Sequence, residues 1–484
     1  MNPRLLRLCA LAVVAAAPAG CVLPPPRETP PTLATAAPLD GIPTGTAATW
    51  PGDAWWTRYD DAVLNELERR ALAAAPSLAA ARARFDEAVR AVDVARAAGG
   101  ASVDAQAQVQ RERLSEHGLI PTGFLGFTWY GQGDLGATFR YDFDFFGSHG
   151  AEIAAAIDRG RAAQAERDAA ANLLTAAVAE SYFGWQADQA RLAAARDRVA
   201  ALDEARTIAA ARVARGVDVD DVAQRAEADL AAAKEDAAAI EWSAHLHRAA
   251  IAALLGVAET GLPEFTPRPL PAATAALPAD AGLDLVAHRA DVAASRWRVE
   301  AALRDVDVAR AAFFPDLSLT AMLGLSSIDL DKLLTAGSRV AAAGPALHLP
   351  IFDAGRLHAR FGASQAALAR AIADYNQAVV DAARDAAGQA LTLLQVQARR
   401  REHEAALAAA TRLQAAAQAR VRQGVADARP ALVATAELAR QRDADIQLAT
   451  AALAAEIGLT RALGGGYRPA PAEPAALANG GSPQ

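Results

Sequence analysis

The stretch Leu174-Thr-Ala-Ala-Val-Ala-Glu-Ser-Tyr-Phe-Gly-Trp185 lies in a proline-free run that extends from His149 to Glu259. Alanine, arginine, aspartate, glutamate and leucine dominate residues 149–215, and an unbroken helix of that length is about 100 Å long. Its apolar positions follow the i, i+4, i+7, i+11 spacing of a coiled-coil seam, at Leu174, Val178, Ser181 and Trp185. Because one thin apolar stripe cannot stabilise so long a helix alone, the run needs neighbouring helices along its whole length.

An internal duplication supplies these neighbours. The segment Val92-Asp-Val-Ala-Arg-Ala-Ala98 recurs as Val306-Asp-Val-Ala-Arg-Ala-Ala312, and Ala211-Arg-Val-Ala-Arg-Gly-Val217 recurs in part as Ala419-Arg-Val-Arg-Gln-Gly-Val425. A second seam with the same spacing lies at Leu368, Ile372, Tyr375 and Val379. Each half of the chain is therefore predicted to contain a helix, two strands, a long helix, a turn and a returning helix.

The composition excludes two classes of protein. Hydrophobic residues make up 53% of the chain and aromatic residues only 5%, so alanine supplies much of the apolar content. Beyond the extreme N-terminus no run of about 18 uncharged apolar residues exists, which argues against membrane-spanning helices. The net charge is −8 and no basic patch with interleaved aromatics is present, so nucleic acid is not an expected partner.

The N-terminus has the layout of a secretory signal followed by a lipid attachment site. Arg4 and Arg7 precede an apolar core, and Pro18-Ala-Gly-Cys21 resembles the bacterial lipobox, in which the cysteine is acylated. Two or three acyl chains suffice for a stable anchor. Val22 follows the cysteine instead of an aspartate that would indicate inner-membrane retention, so an outer-membrane, lipid-anchored location is predicted. The alternative is an ordinary signal peptide with an incidental cysteine.

Four segments alternate between apolar and polar residues with the period of two that strands require. They cover about 101–111, 135–147, 316–325 and 344–352. In the first pair, the polar positions predicted to line the inside of a barrel are Asp104, Gln106, Gln108, Arg140, Asp142 and Asp144.

Four strands cannot close a barrel, and an open edge in lipid leaves backbone groups unsatisfied. The chain is therefore expected to oligomerise through its strands. Two copies would give eight strands with a side-chain-filled interior, and three would give twelve with room for water. The polar inner positions favour the trimer, so the predicted fold is mixed membrane α/β. In it, four strands per protomer form a twelve-stranded barrel above long coiled-coil helices.

The predicted boundaries follow the duplication. In chain order they are a signal peptide (1–20), a lipidated proline-rich tether (21–48), a first repeat (49–263) with a helical hairpin at 149–259, a linker (264–282), a second repeat (283–466) with a hairpin at 356–463, and a disordered tail (467–484).

Several motifs together resemble a known family. They are the lipobox-like Cys21, Trp55-Trp56 with Asp60, Phe313-Phe-Pro-Asp-Leu317, Pro350-Ile-Phe-Asp-Ala-Gly-Arg356, the glycine turns at Arg215-Gly216 and Gln423-Gly424, and Ala462-Leu-Gly-Gly-Gly-Tyr467. These features are similar to those of the outer-membrane factors of tripartite efflux pumps, the TolC-like family in its NodT-type lipoprotein branch. In Tyr141-Asp-Phe-Asp-Phe-Phe-Gly-Ser148, the counterpart in the first half, the chain departs from the more usual Trp-Glu start and from the arginine after the glycine.

The resemblance implies a homotrimer with a twelve-stranded outer-membrane barrel and a periplasmic α-helical tunnel. It implies export of drugs or other small molecules through a periplasmic adaptor from an inner-membrane pump of the resistance-nodulation-division type. Catalysis and cofactors are not expected. The alternatives from the sequence are the exit duct of a type I protein secretion system and an envelope scaffold lipoprotein without a pore.

The resemblance places the periplasmic end at the two helical turns. Adaptor contacts are expected from Arg215, Gly216, Val217, Gln423, Gly424 and Val425. The carboxylates expected to line a gate are Asp218, Asp220, Asp221 and Asp427, where acidic rings would attract cations. The alternative for these four is that they are N-cap or first-turn acids of the returning helices.

Other chemistry finds no candidate in the sequence. His245 and His247 point in different directions on a helix, so no metal site is predicted. The glycines from Gly123 to Gly133 do not connect a strand to a helix, as a phosphate-binding loop would. Paired carboxylates at Asp142 and Asp144 are explained by a polar barrel interior rather than by acid/base catalysis.

Overall fold

The computed structural model describes residues 23–45, 48–115 and 122–468. After a short 3-10 helix at Trp55–Tyr59, the helices are α1 (Ala62–Ala74), α2 (Pro76–Ala98), α3 (Thr122–Leu125), α4 (Ser148–Ala214), α5 (Asp220–Leu255), α6 (Ala281–His288), α7 (Ala290–Ala311), α8 (Arg356–Arg422) and α9 (Arg429–Ala462). The strands are β1 (Ser102–Arg113), β2 (Trp129–Phe143), β3 (Asp316–Ser327) and β4 (Arg339–His348). Both halves thus have the same order of long elements.

The chain forms two compact units. Among the described residues, the sheet unit contains 23–32, 86–115, 122–161 and 296–374, and the helical unit contains 33–45, 48–85, 162–295 and 375–468. Residues of α4 and α8, each 67 residues long, belong to both units. Among the described helices, none combines the length and apolar content needed to cross a bilayer.

The sheet unit contains one antiparallel sheet with the strand order β1-β2-β3-β4. The central pair, β2 and β3, joins the two halves of the duplication, with Arg140 opposite Thr320. Ser102 lies opposite Arg140, and Thr320 opposite Gly344, so even-numbered residues of all four strands share one face. Within the described residues, β1 and β4 each pair on one side only, which leaves two open edges.

The bounds of two strands, β2 and β4, differ from the sequence prediction, and β2 ends at Phe143 rather than near 147. β2 begins at Trp129 rather than near 135, because Gly131 and Gly133 extend the ladder opposite Arg111 and Val109 instead of forming a loop. β4 covers Arg339–His348 rather than 344–352.

The residues after β4 prepare the start of α8 instead of extending the strand. Pro350 has no N–H to donate to a ladder. Asp353 then caps α8, since its carboxylate accepts the N–H of Leu357 at 2.7 Å.

The core of the helical unit is built around aromatic residues from both ends of the first repeat. Trp55, Trp56, Tyr182 and Trp185 are buried with Leu64, and Phe265 from the linker packs edge-on against Tyr182 and Trp185. Of the first seam, Leu174, Val178 and Trp185 are buried, while Ser181 is partly exposed and bonds to its own helix through the carbonyl of Ala177. All four residues of the second seam are buried.

Two buried polar side chains hold the linker between the repeats. Gln186 of α4 accepts the N–H of Arg268 at 2.8 Å and donates to the carbonyl of Thr266. Glu456 of α9 is 1% exposed and accepts the backbone N–H groups of Thr274 and Ala275. Glu456 also accepts from the Tyr59 hydroxyl at 2.9 Å and pairs with Arg58 at 3.0 Å. These bonds satisfy backbone groups that burial would otherwise leave without partners.

A second glutamate in the same unit has a different environment. Glu68 of α1 is fully buried, and neither carboxylate oxygen has a hydrogen-bond partner among the described residues. Burial disfavours the charged form and raises the pKa of Glu68 to about 9. Glu68 is therefore a neutral core residue at ordinary pH.

Candidate functional site

One face of the sheet collects polar side chains from all four strands. Five of the six predicted barrel-lining residues lie on this even-numbered face: Asp104, Gln106, Gln108, Arg140 and Asp142. The same face carries Asp134, Thr138, Ser318, Thr320, Ser326 and His348. The opposite face is mainly Val, Ala, Leu, Phe and Tyr, so the sheet is amphipathic across its whole width.

Hydrogen bonds along the polar face connect its side chains. Arg140 pairs with Asp142 at 2.9 Å. Asp134 accepts from the Ser326 hydroxyl at 2.6 Å, a bond that links the two halves of the duplication, and from the Gln132 amide at 3.0 Å. Because these side chains bond to one another, the face is a connected polar surface rather than a set of isolated charges.

The sixth predicted residue, Asp144, does not lie on this face. β2 ends at Phe143, and the carboxylate of Asp144 accepts the N–H of Gly150, in the first turn of α4, at 2.8 Å. Alternation in the sequence predicted the strand to about 147, beyond its observed end at Phe143, because an acid that caps the next helix continues the polar pattern.

The two helical turns have the same backbone. Gly216 has φ +68° and donates to Val213, while Val217 donates to Arg212, both at 2.9 Å. At the second turn, Gly424 has φ +72° and the equivalent bonds run to Val421 and Arg420. This is the Schellman arrangement, which needs a residue with positive φ and therefore favours glycine.

Four charged residues connect the first turn to the second. Arg212 contacts both carboxylate oxygens of Asp218, at 2.8 and 3.2 Å, and reaches Asp427 at 3.5 Å. Arg429 contacts Asp218 at 3.5 Å. We call Arg212, Asp218, Asp427 and Arg429 the tip cluster. Hydrogen bonds from Arg212 hold the pKa of Asp218 below its usual range, and the same bonds raise the pKa of Arg212.

The four predicted gate carboxylates fall into two groups. Asp218 and Asp427 belong to the tip cluster, where Arg212 contacts both carboxylates and offsets part of their charge. Asp220 and Asp221 are the first residues of α5, where carboxylates favour the positive end of the helix dipole. The N-cap itself is Val219, which makes no side-chain cap bond.

The predicted adaptor-contact residues are exposed at the turns. Val217 and Val425 occupy equivalent positions and are 59% and 71% exposed, and Val219 is 68% exposed. Arg215 and Gln423 are also exposed. An apolar group at the end of each hairpin is thus surrounded by charged residues.

Sequence reasoning missed the two arginines of the tip cluster. Arg212 precedes Gly216 and Asp218 follows it. A Schellman turn predicted at Gly216 would therefore have indicated that Arg212 and Asp218 lie close together. The contact with Asp427 has no such signal, because it depends on how the two hairpins pack.

An amphipathic four-stranded sheet carried on two long helical hairpins defines the TolC-like class of outer-membrane channels. The chain belongs to the outer membrane efflux protein family, whose family model matches residues 67–257 and 284–465. It is similar to the multidrug resistance outer membrane protein MdtP of Escherichia coli O6:H1, with 33% identity over 430 residues, 87% of this chain and 88% of that protein.

Solved structures agree with the family assignment. The outer membrane protein VceC from Vibrio cholerae superposes with a TM-score of 0.74 at 30% identity, covering 86% of this chain and 99% of VceC. The outer-membrane channel OprN gives a TM-score of 0.80 at 27% identity, covering 92% of this chain and 99% of OprN.

Proposed function

We propose that this protein is the outer-membrane exit duct of a tripartite efflux system. It passes drugs or other small molecules that an inner-membrane pump delivers through a periplasmic adaptor. The duct itself is passive and has no enzymatic activity, since the pump supplies the energy.

The observation that carries the proposal is the amphipathic sheet with two open edges. In lipid, an open edge costs several kcal/mol for each unsatisfied backbone group. Pairing of β1 from one copy with β4 of the next removes both edges, and three copies close a barrel of twelve strands. The polar face with Asp104, Arg140 and Asp142 then lines a water-filled interior, and the apolar face contacts lipid.

The helical hairpins form the periplasmic part of the same duct. In a homotrimer their turns meet at its lower end, where the tip cluster holds the two hairpins of each copy together. Val217 and Val425 are exposed apolar residues at the tips, and they are suited to contact an adaptor. Asp220 and Asp221 are exposed beside them, and they line the gate together with Asp218 and Asp427 of the tip cluster.

The anchor, the pump and the substrates complete the proposal. Cys21 lies outside the described residues, and we propose that it carries the lipid that fixes the protein to the outer membrane. The relative MdtP is named a multidrug resistance protein, which supports unrelated drugs as substrates. A pump of the resistance-nodulation-division type is the proposed source of these substrates.

A planar-bilayer recording combined with a deletion strain tests the proposal. Purified protein is expected to give stepwise conductance, and a deletion strain is expected to become more sensitive to several unrelated drugs. Complementation with a variant in which Gly324 is replaced by tryptophan is the negative control. The close approach of Gly324 to the backbone of Leu135 and Gly136 leaves no room for a side chain, so the sheet cannot form. Pure protein without conductance would indicate a scaffold instead of a duct.

A further inference from the structure

The carboxylates of the four strands all lie on one face of the sheet, whereas three of the four strand arginines lie on the other. All strand carboxylates lie on the polar face: Asp104, Glu112, Asp134, Asp142 and Asp316. The apolar face carries only three charged residues, all of them arginines: Arg111, Arg113 and Arg339. A role in lining a pore does not explain these three arginines, because they lie on the face opposite the polar one.

The three arginines share one end of the sheet. Arg111 and Arg113 lie at the end of β1 that leads into the loop toward β2, and Arg339 is the first residue of β4 after the β3–β4 loop. The opposite ends of these strands adjoin the helices. Apolar residues such as Val103, Val109 and Leu347 occupy the rest of the same face on these two strands. The arginines therefore border an apolar band on its loop side.

Arg111 and Arg339 are available for a ligand. Both side chains are exposed, and neither forms an ion pair with another residue in the described part of the chain. The guanidinium of Arg111 lies 5.7 Å from the ring of Trp129, itself 53% exposed, and Arg113 is opposite Trp129 in the ladder. Tryptophan at the edge of an apolar band is typical of the membrane interface.

An outward-facing arginine is costly in the middle of a bilayer and tolerated at its interface. At an interface its planar fork binds phosphate oxygens with two parallel hydrogen bonds. Arg111 and Arg339, which form no ion pair within the described residues, are therefore suited to the phosphorylated headgroups of the leaflet on the loop side.

The arginines form one site only when copies associate, a step that rests on the proposed barrel. β1 and β4 are the open edges, so closure places β4 of one copy beside β1 of the next, with the strands about 4.8 Å apart. Both strands present their arginines on the same face and at the same end. Arg111 and Arg113 of one copy then join Arg339 of the neighbouring copy at each seam.

We infer that each seam binds the phosphate groups of a phosphorylated glycolipid in the outer leaflet of the outer membrane. Arg111 and Arg339, on two strands of neighbouring copies, fit a headgroup with two phosphates better than a lipid with a single phosphate. The bound glycolipid bridges two copies and stabilises the closed barrel against dissociation.

Binding to detergent-purified trimers tests this inference. Native mass spectrometry and the temperature of trimer dissociation on gels are measured with diphosphorylated lipid A, with the same lipid lacking phosphates, and with phosphatidylglycerol. Diphosphorylated lipid A is expected to remain bound and to raise the dissociation temperature, whereas the other two lipids have little effect. The double variant Arg111→Gln/Arg339→Gln should bind at least about tenfold more weakly, the loss expected for one charged hydrogen bond.

Two further variants and one independent measurement separate the possible failures. Arg111→Lys/Arg339→Lys keeps the charge and should retain part of the binding, and Arg401→Gln removes an exposed arginine from α8 and should bind like the wild type. Equal binding of phosphatidylglycerol, or unchanged binding by the glutamine variant, would overturn the inference while conductance persists. Loss of trimers and of conductance in the wild type would overturn the proposed function itself.

Discussion

The core of the helical unit and the tips of its hairpins use carboxylates in opposite ways. In the core, Glu68 is buried without a hydrogen-bond partner among the described residues, and Glu456 is buried with several. At the tips, Asp218 is held by the partly exposed Arg212 and Arg429, and Asp427 is held by Arg212. The core depends on burial, which salt does not screen, while the tips depend on surface charge pairs, which it does. The tips are thus the part of the helical unit that can rearrange without disturbing its packing.

The largest expected effect comes from breaking the core. Glu456→Ala leaves Arg58 and the N–H groups of Thr274 and Ala275 without their partner. Each backbone donor that loses its acceptor costs about 1 to 3 kcal/mol, and the thermal transition followed by circular dichroism should shift strongly downward. Glu66→Ala, which breaks only exposed pairs with Arg69 and Arg70, is the control and should shift little. Equal shifts would show that Glu456 is not essential to the core.

The next effect concerns Glu68 and depends on pH. Its pKa is about 9 in the folded protein and near 4.5 when exposed, so the folded state holds a proton that the unfolded state has released. Stability therefore falls as pH rises from about 4.5 to 9. Glu68→Gln should remove this dependence and gain about 1 to 3 kcal/mol at pH 8. Melting curves at pH 5 and pH 8 measure this change in stability. An equal change between the two pH values in the variant and the wild type would contradict the raised pKa of Glu68.

Glycine replacements give a smaller contrast between a tip and a helix interior. Gly424→Ala introduces a Cβ at φ +72° and should cost about 1 to 2 kcal/mol. Gly388→Ala, within α8 and with open space around the new Cβ, should gain about 0.5 to 1 kcal/mol. Thermal midpoints of the two variants should move in opposite directions. A shift of the same sign would mean that the turn does not need glycine.

The smallest effect on stability, and one best seen in conductance, concerns the tip cluster. Arg212→Gln removes the contacts with Asp218 and Asp427, so single channels should conduct more at neutral pH. Arg215→Gln removes the same charge from an exposed position in the first turn and should conduct like the wild type. Equal conductance of all three proteins would exclude the tip cluster from the gate.

Acid should raise the conductance of the wild type, as Arg212→Gln does, but only at low pH. Because Arg212 lowers the pKa of Asp218, the contact is complete above pH 3.8 and is lost as pH falls through the lower folded value. Conductance is therefore expected to stay constant from pH 8 to about pH 4.5 and to rise only in stronger acid. A rise near neutral pH would point to another titrating group.

Features repeated at short range were predictable from the sequence, and long-range contacts were not. The glycine turns at Gly216 and Gly424, the seam residue Trp185 and the alternating strands follow from local spacing. The start of β2 was missed because its glycines resemble a loop, and Asp144 because a helix cap directly follows the strand. Arg429, the second partner of Asp218, and the linker groups that bind Glu456 come from distant parts of the chain, so only packing could reveal these contacts.

Disulfide scanning between the open edges of the sheet tests the central claim most directly. Single cysteines on the even-numbered face of β1, at Asp104, Gln106 and Gln108, are each combined with Ala342→Cys of β4. Both native cysteines precede residue 22 and do not interfere with the strands. If copies close a shared barrel, oxidation of membranes should give covalent dimers and trimers for the pair that lies in register. Monomers for every combination would contradict the account.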